Sequence, residues 1–201
     1  MKTLLRIDCS SRVKGSHSRK MADHFEKKWR LNNPKGKIIY RDLAKTTIPH
    51  LSNETIEGFY TPKEHFSTKN TEATALSDKL ISELKNADEL LISSPLYNLN
   101  TPSCLKAYLD QITRIGHTFS MDENGYHGLL NNISAFIITT KGGIYNGTEM
   151  EAYDFQTPYL KAILSHMGIQ TKNVFSLEGM GNPKVIEANE SEVISLINQA
   201  L

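Results

Sequence analysis

Residues 87–112 read ADELLISSPLYNLNTPSCLKAYLDQI, and the order of signals within them decides the fold. Leu90, Leu91 and Ile92 form a short apolar run, which suits a buried strand better than a helix. Ser93, Ser94 and Pro95 stop it. The stretch Leu96–Pro102, LYNLNTP, is dense in turn formers. Thr101 before Pro102 has the pattern of an N-cap followed by proline at the first helical position. Leu105, Tyr108, Leu109 and Ile112 then recur at helical spacing. The reading is buried strand, long polar loop, capped helix. In a parallel sheet, ligands bind beyond the carboxyl ends of strands, at a switch in strand order. Tyr97 offers this loop an aromatic ring, and Asn98 and Asn100 offer amides. These groups suit a flat heterocycle with many hydrogen-bonding atoms; the competing reading is a loop that only connects.

The flanks repeat the alternation. Upstream, Thr3–Asp8 (TLLRID) reads as the first strand and Lys37–Arg41 (KIIYR) as the second. A helix with Met21, Ala22, Phe25 and Trp29 on one face lies between them, capped by Ser16 or Ser18. The 44–70 stretch reads as a long connection, functional or interfacial by its length. Its aromatics, Phe59 and Tyr60 among them, either line a pocket or meet a second subunit. A helix from Thr71 to about Asn86 leads into the central segment. Downstream, 116–132 reads as a turn-rich hairpin or loop and Ile133–Thr140 (ISAFIITT) as a strand. A helix over Tyr159–Met167, a strand over Lys172–Leu177 and an amphipathic helix over Pro183–Ala200 complete the chain. Five strands alternating with helices predict one α/β domain over 1–201, a doubly wound parallel sheet with helices on both faces.

Composition narrows the function classes. The 201 residues carry a net charge of +1, which gives no case for nucleic acid or an anionic membrane as partner. No apolar run approaches transmembrane length, and the N-terminus shows no secretory pattern, so a cytoplasmic protein is expected. Two cysteines, Cys9 and Cys104, are too few for a disulfide framework, and the seven histidines show no metal spacing. No metal is expected.

Three loops leave the same edge of such a sheet: Cys9–Ser18 (CSSRVKGSHS), the Pro95–Asn100 loop, and Thr140–Tyr145 (TKGGIY). The first presents hydroxyls and free N–H groups at a helix N-terminus, where Ser10, Ser16 and Ser18 suit a monophosphate. It is neither a P-loop nor a GxGxxG fingerprint. Gly142 and Gly143 allow close approach of backbone to a ligand, or make a plain tight turn. Together the loops fit a flavin mononucleotide, FMN.

These stretches carry a resemblance over nearly the whole chain. Ser10 with Ser16-His17-Ser18, the run Pro95 to Asn100, Thr118-Phe119 with Glu123-Asn124-Gly125, Lys141-Gly142-Gly143-Ile144 and Thr157-Pro158-Tyr159-Leu160 resemble the FMN-dependent NADH:azoreductase family, flavodoxin-like relatives of the quinone reductases. The resemblance implies strand order 2-1-3-4-5. It implies FMN contacts at Ser10, at Ser16, His17 and Ser18 for the phosphate, at Pro95, Leu96, Tyr97, Asn98 and Leu99 for the ring, and at Thr140, Lys141, Gly142 and Gly143 for its other edge. Donors near Asn98, Gly142 and Gly143 then suit the negative charge of the reduced ring, and Phe119, with Phe59 and Tyr60, suits the acceptor pocket. The family often has Gln at His17, Phe at Leu99 and Ser-Arg at Thr140-Lys141, and 145–155 is longer here than usual. The implied activity is ping-pong reduction of quinones and azo compounds by NADH or NADPH through bound FMN, in a homodimer with shared sites. The alternative is a flavodoxin-type single-electron carrier, a class typically shorter and strongly acidic.

Overall fold

The computed structural model describes residues 1–201, residue 63 by its backbone alone. Strands β1 (Thr3–Asp8), β2 (Lys37–Asp42), β3 (Glu89–Pro95), β6 (Ser134–Thr140) and β7 (Gln170–Leu177) form a sheet of order β2-β1-β3-β6-β7. All four pairings are parallel. Strands β4 (Phe119–Asp122) and β5 (Gly125–Gly128) form a separate antiparallel hairpin. Numbered within the main sheet alone, the order is the expected 2-1-3-4-5. The switch in direction lies between β1 and β3, so the crevice opens beyond their carboxyl ends.

Burial follows from the period of two along each strand. Leu5 and Ile7, Leu90 and Ile92, and Ala135 and Ile137 face one way, into a core with α3 (Thr68–Lys85), α4 (Ser103–Ile112) and α5 (Gln156–His166). Leu4, Leu91, Phe136 and Ile138 face the other way, into a core with α1 (His17–Asn32) and α6 (Ile186–Ala200). Continuous apolar strands are what a sheet covered on both faces requires.

Three expectations change. The 44–70 connection holds its own helix, α2 (Asn53–Tyr60), capped by Ser52 and packed on α3 with Gly58 facing Thr74. Apolar positions spaced over only eight residues gave too little periodicity to reveal it. Helix α3 starts at Thr68, before the expected Thr71, because Ser67 and Asn70 close a capping box. Thr101 does not cap α4: Pro102 occupies the N-cap with no side-chain hydrogen bond, and Asn100 Oδ1 accepts the Thr101 N–H instead. The segment after Tyr145 includes a short 3-10 helix, Glu149–Tyr153.

Candidate functional site

The loops after β1, β3 and β6 converge on one cleft of about 280 Å³, lined by Ser10, Ser16, His17, Pro95, Leu96, Tyr97, Thr140, Lys141 and Gly142. The remaining lining residues are Arg12, Met180 and Gly181, which the sequence reading did not single out. The last two sit beyond the carboxyl end of β7. The signal was there: Gly179-Met180-Gly181 follows a strand, as the other three loops do.

At one end stands the start of α1. Ser16 is its N-cap and accepts the Arg19 N–H. The N–H groups of His17 and Ser18 have no carbonyl within the helix to bond, so they and the helix dipole favour an anion. Ser10 Oγ accepts the Arg12 N–H at 3.2 Å, which folds the loop back on itself. Ser18 is fully buried, its hydroxyl 3.1 Å from that of Ser16. The basic residues here divide sharply. Arg19 is bound bidentately to Asp42 at 2.7 Å, and Lys20 and His17 both meet Glu190. Arg12 makes no ion pair among the described residues and opens onto the cleft.

At the other end lies a tight turn. Tyr97 and Asn100 exchange both backbone hydrogen bonds, at 2.9 and 3.0 Å, around Asn98 (φ 48°) and Leu99 (φ 70°). Positive φ at both central residues is a type I′ turn. Asparagine tolerates that region; leucine does not, so Leu99 holds strain of the kind found at functional sites. Tyr97 walls the cleft on one side. On its other side lies a second pocket of about 480 Å³, onto which Asn98 opens with Pro102, Lys106 and Tyr159.

The β6 loop is held by main chain. The carbonyls of Lys141, Gly142 and Gly143 accept from Met180, Gly181 and Gly179 at 2.8–3.0 Å. The Gly142 and Gly143 N–H groups have no acceptor among the described residues. A Cβ on Gly142 would meet nothing within 4 Å, so the main chain here stands open to the cleft. Gly181 approaches so closely that a Cβ would stand 3.1 Å from the Gly142 carbonyl.

Lys141 lines the cleft, and its side chain is committed to an ion pair within the protein. It is 4% exposed and bonds Asp154 at 2.7 Å and Glu178 at 2.9 Å. Burial would raise the carboxyls of Asp154 and Glu178, but Lys141 and nearby backbone donors outweigh it and hold both below the ordinary range. Glu178 also accepts the N–H groups of Tyr145 and Asn146, and Asp154 those of Gln156 and Thr157. Gln156, fully buried, donates through Nε2 to the Pro95 carbonyl at 2.8 Å and to Ser94. One polar chain therefore runs from the β3 loop through α5 to the β6 loop.

The expected acceptor residues are elsewhere in the chain. Phe119 packs on His166 (4.3 Å between ring centroids) and Tyr126. Phe59 lies under the Arg114 guanidinium at 4.7 Å, and Tyr60 projects into solvent. None of the three lines the cleft. Among the described residues no cluster of His, Cys, Asp and Glu could hold a metal ion, and no helix is long and apolar enough to cross a membrane.

A doubly wound sheet of this order with its cleft at the switch point defines a flavodoxin-like protein, and a model of the flavodoxin-like fold family matches residues 1–199. An FMN-dependent NADH:quinone oxidoreductase from Hydrogenovibrio crunogenus is 40% identical over 201 residues, 100% of this chain and 98% of that one. One of the same description from Xanthobacter autotrophicus is 41% identical over 172 residues, 85% and 83% of the two chains. An FMN-dependent NADH-azoreductase from Bacillus anthracis, solved in complex with FMN, superposes with a TM-score of 0.85 at 25% identity, covering 99% of each chain. A second azoreductase structure from Bacillus anthracis (TM-score 0.89, 22% identity, 99% and 100% covered) shares the fold. The chain belongs to the flavodoxin-like fold family, among its FMN-dependent NADH:quinone oxidoreductases.

Proposed function

We propose that this cleft binds FMN and that the chain reduces quinones and azo compounds at the expense of NADH or NADPH. One observation carries the reading. Unpaired backbone N–H groups lie at the start of α1 and at Gly142 and the adjoining Gly143, and Tyr97 adds an aromatic wall to the same cleft. These residues fit a phosphate at one end and the polar edge of a flat ring at the other. When bound, FMN supplies the chemistry, taking a hydride from the nicotinamide and passing two electrons to the acceptor.

The protein's share is binding, orientation and charge. The Ser10 and Ser16–Ser18 segment takes the phosphate. Pro95, Leu96 and Thr140 set the ring's depth through main chain alone, tied together by the Leu96 N–H to Thr140 carbonyl bond at 2.8 Å. The Gly142 and Gly143 N–H groups would offer hydrogen bonds to the negative charge of a reduced ring held here; being fixed in advance, they would need no reorganisation. Asn98, expected to assist them, opens instead onto the second pocket beyond Tyr97. Donor and acceptor use the same open face in turn, which gives ping-pong kinetics.

Family membership and a net charge of +1 favour a reductase over an electron-carrying flavodoxin. A homodimer in which the partner completes each site agrees with the exposed Tyr97, Ile144 and Phe155 beside an open cleft. Phe119, Phe59 and Tyr60 then serve the acceptor only through such a dimer.

The test is anaerobic. The yellow protein should bleach in one two-electron step on addition of NADH and recover its colour with a quinone. Protein that binds no FMN, or that holds FMN but leaves NADH unoxidised, refutes the reading.

A further inference from the structure

The β1–α1 loop runs into His17, which meets a carboxylate from α6. The argument rests on the proposal that the FMN phosphate sits at this loop. His17 Nδ1 lies 2.9 Å from Glu190 Oε1, and Glu190 Oε2 takes the Lys20 ammonium at 2.5 Å. Burial would raise the Glu190 carboxyl, but Lys20 and His17 outweigh it and hold it below the usual glutamate range. Glu190 is therefore a carboxylate at neutral pH, and a carboxylate only accepts. Nδ1 must carry the hydrogen it donates. In a neutral imidazole with Nδ1 protonated, Nε2 has no hydrogen and is itself an acceptor.

That state does not suit an anion. His17 lines the cleft between Ser16 and the β1 end, and with Nδ1 turned to Glu190 only Nε2 remains for it. A neutral ring would set a lone pair against phosphate oxygens. An imidazolium would donate to both neighbours, one hydrogen bond to Glu190 and one to the phosphate. We propose that His17 holds the FMN phosphate as an imidazolium bridging it to Glu190, so that cofactor uptake draws one proton from solvent.

The charged surroundings are few. Glu190 faces His17 from α6, Lys20, Arg19 and Asp23 from α1, Arg12 from the β1–α1 loop and Lys141 from the β6 loop. Arg19 and Lys141 are spent on Asp42 and on Asp154 and Glu178. Of all these types only the imidazole ordinarily changes charge between about pH 5 and 8. A dianionic phosphate arriving beside the ring favours its charged form. The sign follows: above the phosphate's own step near 6, flavin affinity falls as pH rises and the imidazolium becomes harder to form.

The experiment titrates flavin-stripped protein with FMN by calorimetry at about pH 7.5, above the phosphate's own step near 6. Two buffers of different ionisation enthalpy count the protons. About one proton should be taken up per FMN, and the Kd should approach about a tenfold rise per pH unit on the alkaline side. His17→Gln keeps a donor for the phosphate but cannot titrate, so its uptake should vanish and its Kd should flatten with pH. Riboflavin, which has no phosphate, should bring no proton with either protein. The phosphorus resonance of bound FMN should sit at the dianion position. Absent uptake, equal uptake in His17→Gln, or a monoanionic bound phosphate would each overturn the proposal while leaving FMN binding intact. Failure to bind either flavin would instead overturn the FMN reading itself, and this inference with it.

Discussion

The two ends of the cleft are built by different means. The phosphate end is local: Ser10, Ser16, His17 and Ser18 lie within nine positions of one another, on the loop after β1 and the first turn of α1. The ring end is assembled from distant pieces. Pro95–Asn100, Thr140–Gly143, Asp154–Gln156 and Glu178–Gly181 meet there, and the buried Lys141 joins three of them. The local end needs only helix capping and a dipole. The assembled end needs buried charges that must be paired, and a strained turn that the surroundings hold in place. The difference teaches that donors aimed at a phosphate can be supplied by chain order, whereas donors aimed at a ring edge here depend on a fully folded sheet.

Paired substitutions break or sharpen that contrast, with riboflavin against FMN as the readout that separates the ends. Lys141→Met should have the largest effect. It leaves Asp154 and Glu178 buried without their cation and should cost about 3–5 kcal/mol in urea unfolding. It should weaken FMN and riboflavin by the same factor; a loss confined to FMN would mean that Lys141 serves the phosphate after all. Acid should act at the same place. Asp154 and Glu178 titrate below their ordinary values, so the stability they contribute is complete above the unfolded carboxylate range, about pH 4. It is lost as pH falls through their lowered folded values. In Lys141→Met this acid-dependent part of the unfolding free energy should shrink or disappear.

The local end should respond more weakly. Ser16→Ala removes the α1 cap and should cost about 1 kcal/mol of stability. Arg12→Ala should leave stability unchanged and riboflavin binding untouched while weakening FMN by about 1 kcal/mol, near fivefold in Kd. Equal weakening of both flavins would remove Arg12 from the phosphate. The smallest expected effect has the opposite sign. Leu99→Gly relieves the φ of 70° but loosens the unfolded chain, for a net gain of about 0.5 kcal/mol, roughly 1–2 °C in Tm. A lower Tm would show that the Leu99 side chain contributes more packing than its backbone costs.

Much of the molecule was legible beforehand, and the exceptions share a cause. The five sheet strands and α1, α4, α5 and α6 announce themselves as apolar runs and periodic faces within single windows. The β4–β5 hairpin shows in its Asp-Glu-Asn-Gly turn. Helix α2 escaped because it is short and buries little more than Thr55 and Gly58. Met180 and Gly181 escaped although they follow a strand, because nothing in their identity says that their N–H groups are spent on Lys141 and Gly142. Phe119, Phe59 and Tyr60 lie away from the cleft within the chain for the opposite reason: an exposed-looking aromatic has several possible neighbours, and sequence does not choose among them.

Periodicity, turn chemistry and helix-start residues by themselves determined a doubly wound sheet with three loops at its crevice, because these depend on neighbours a few positions apart. Folding alone decided which way each long side chain turns: Lys141 into a carboxylate pair, His17 towards Glu190 on the last helix, 173 positions away. For Lys141 charge burial is the reason: a buried ion takes whichever counter-ion the packed elements bring within reach, and that distance is set by the whole sheet rather than by any stretch of chain.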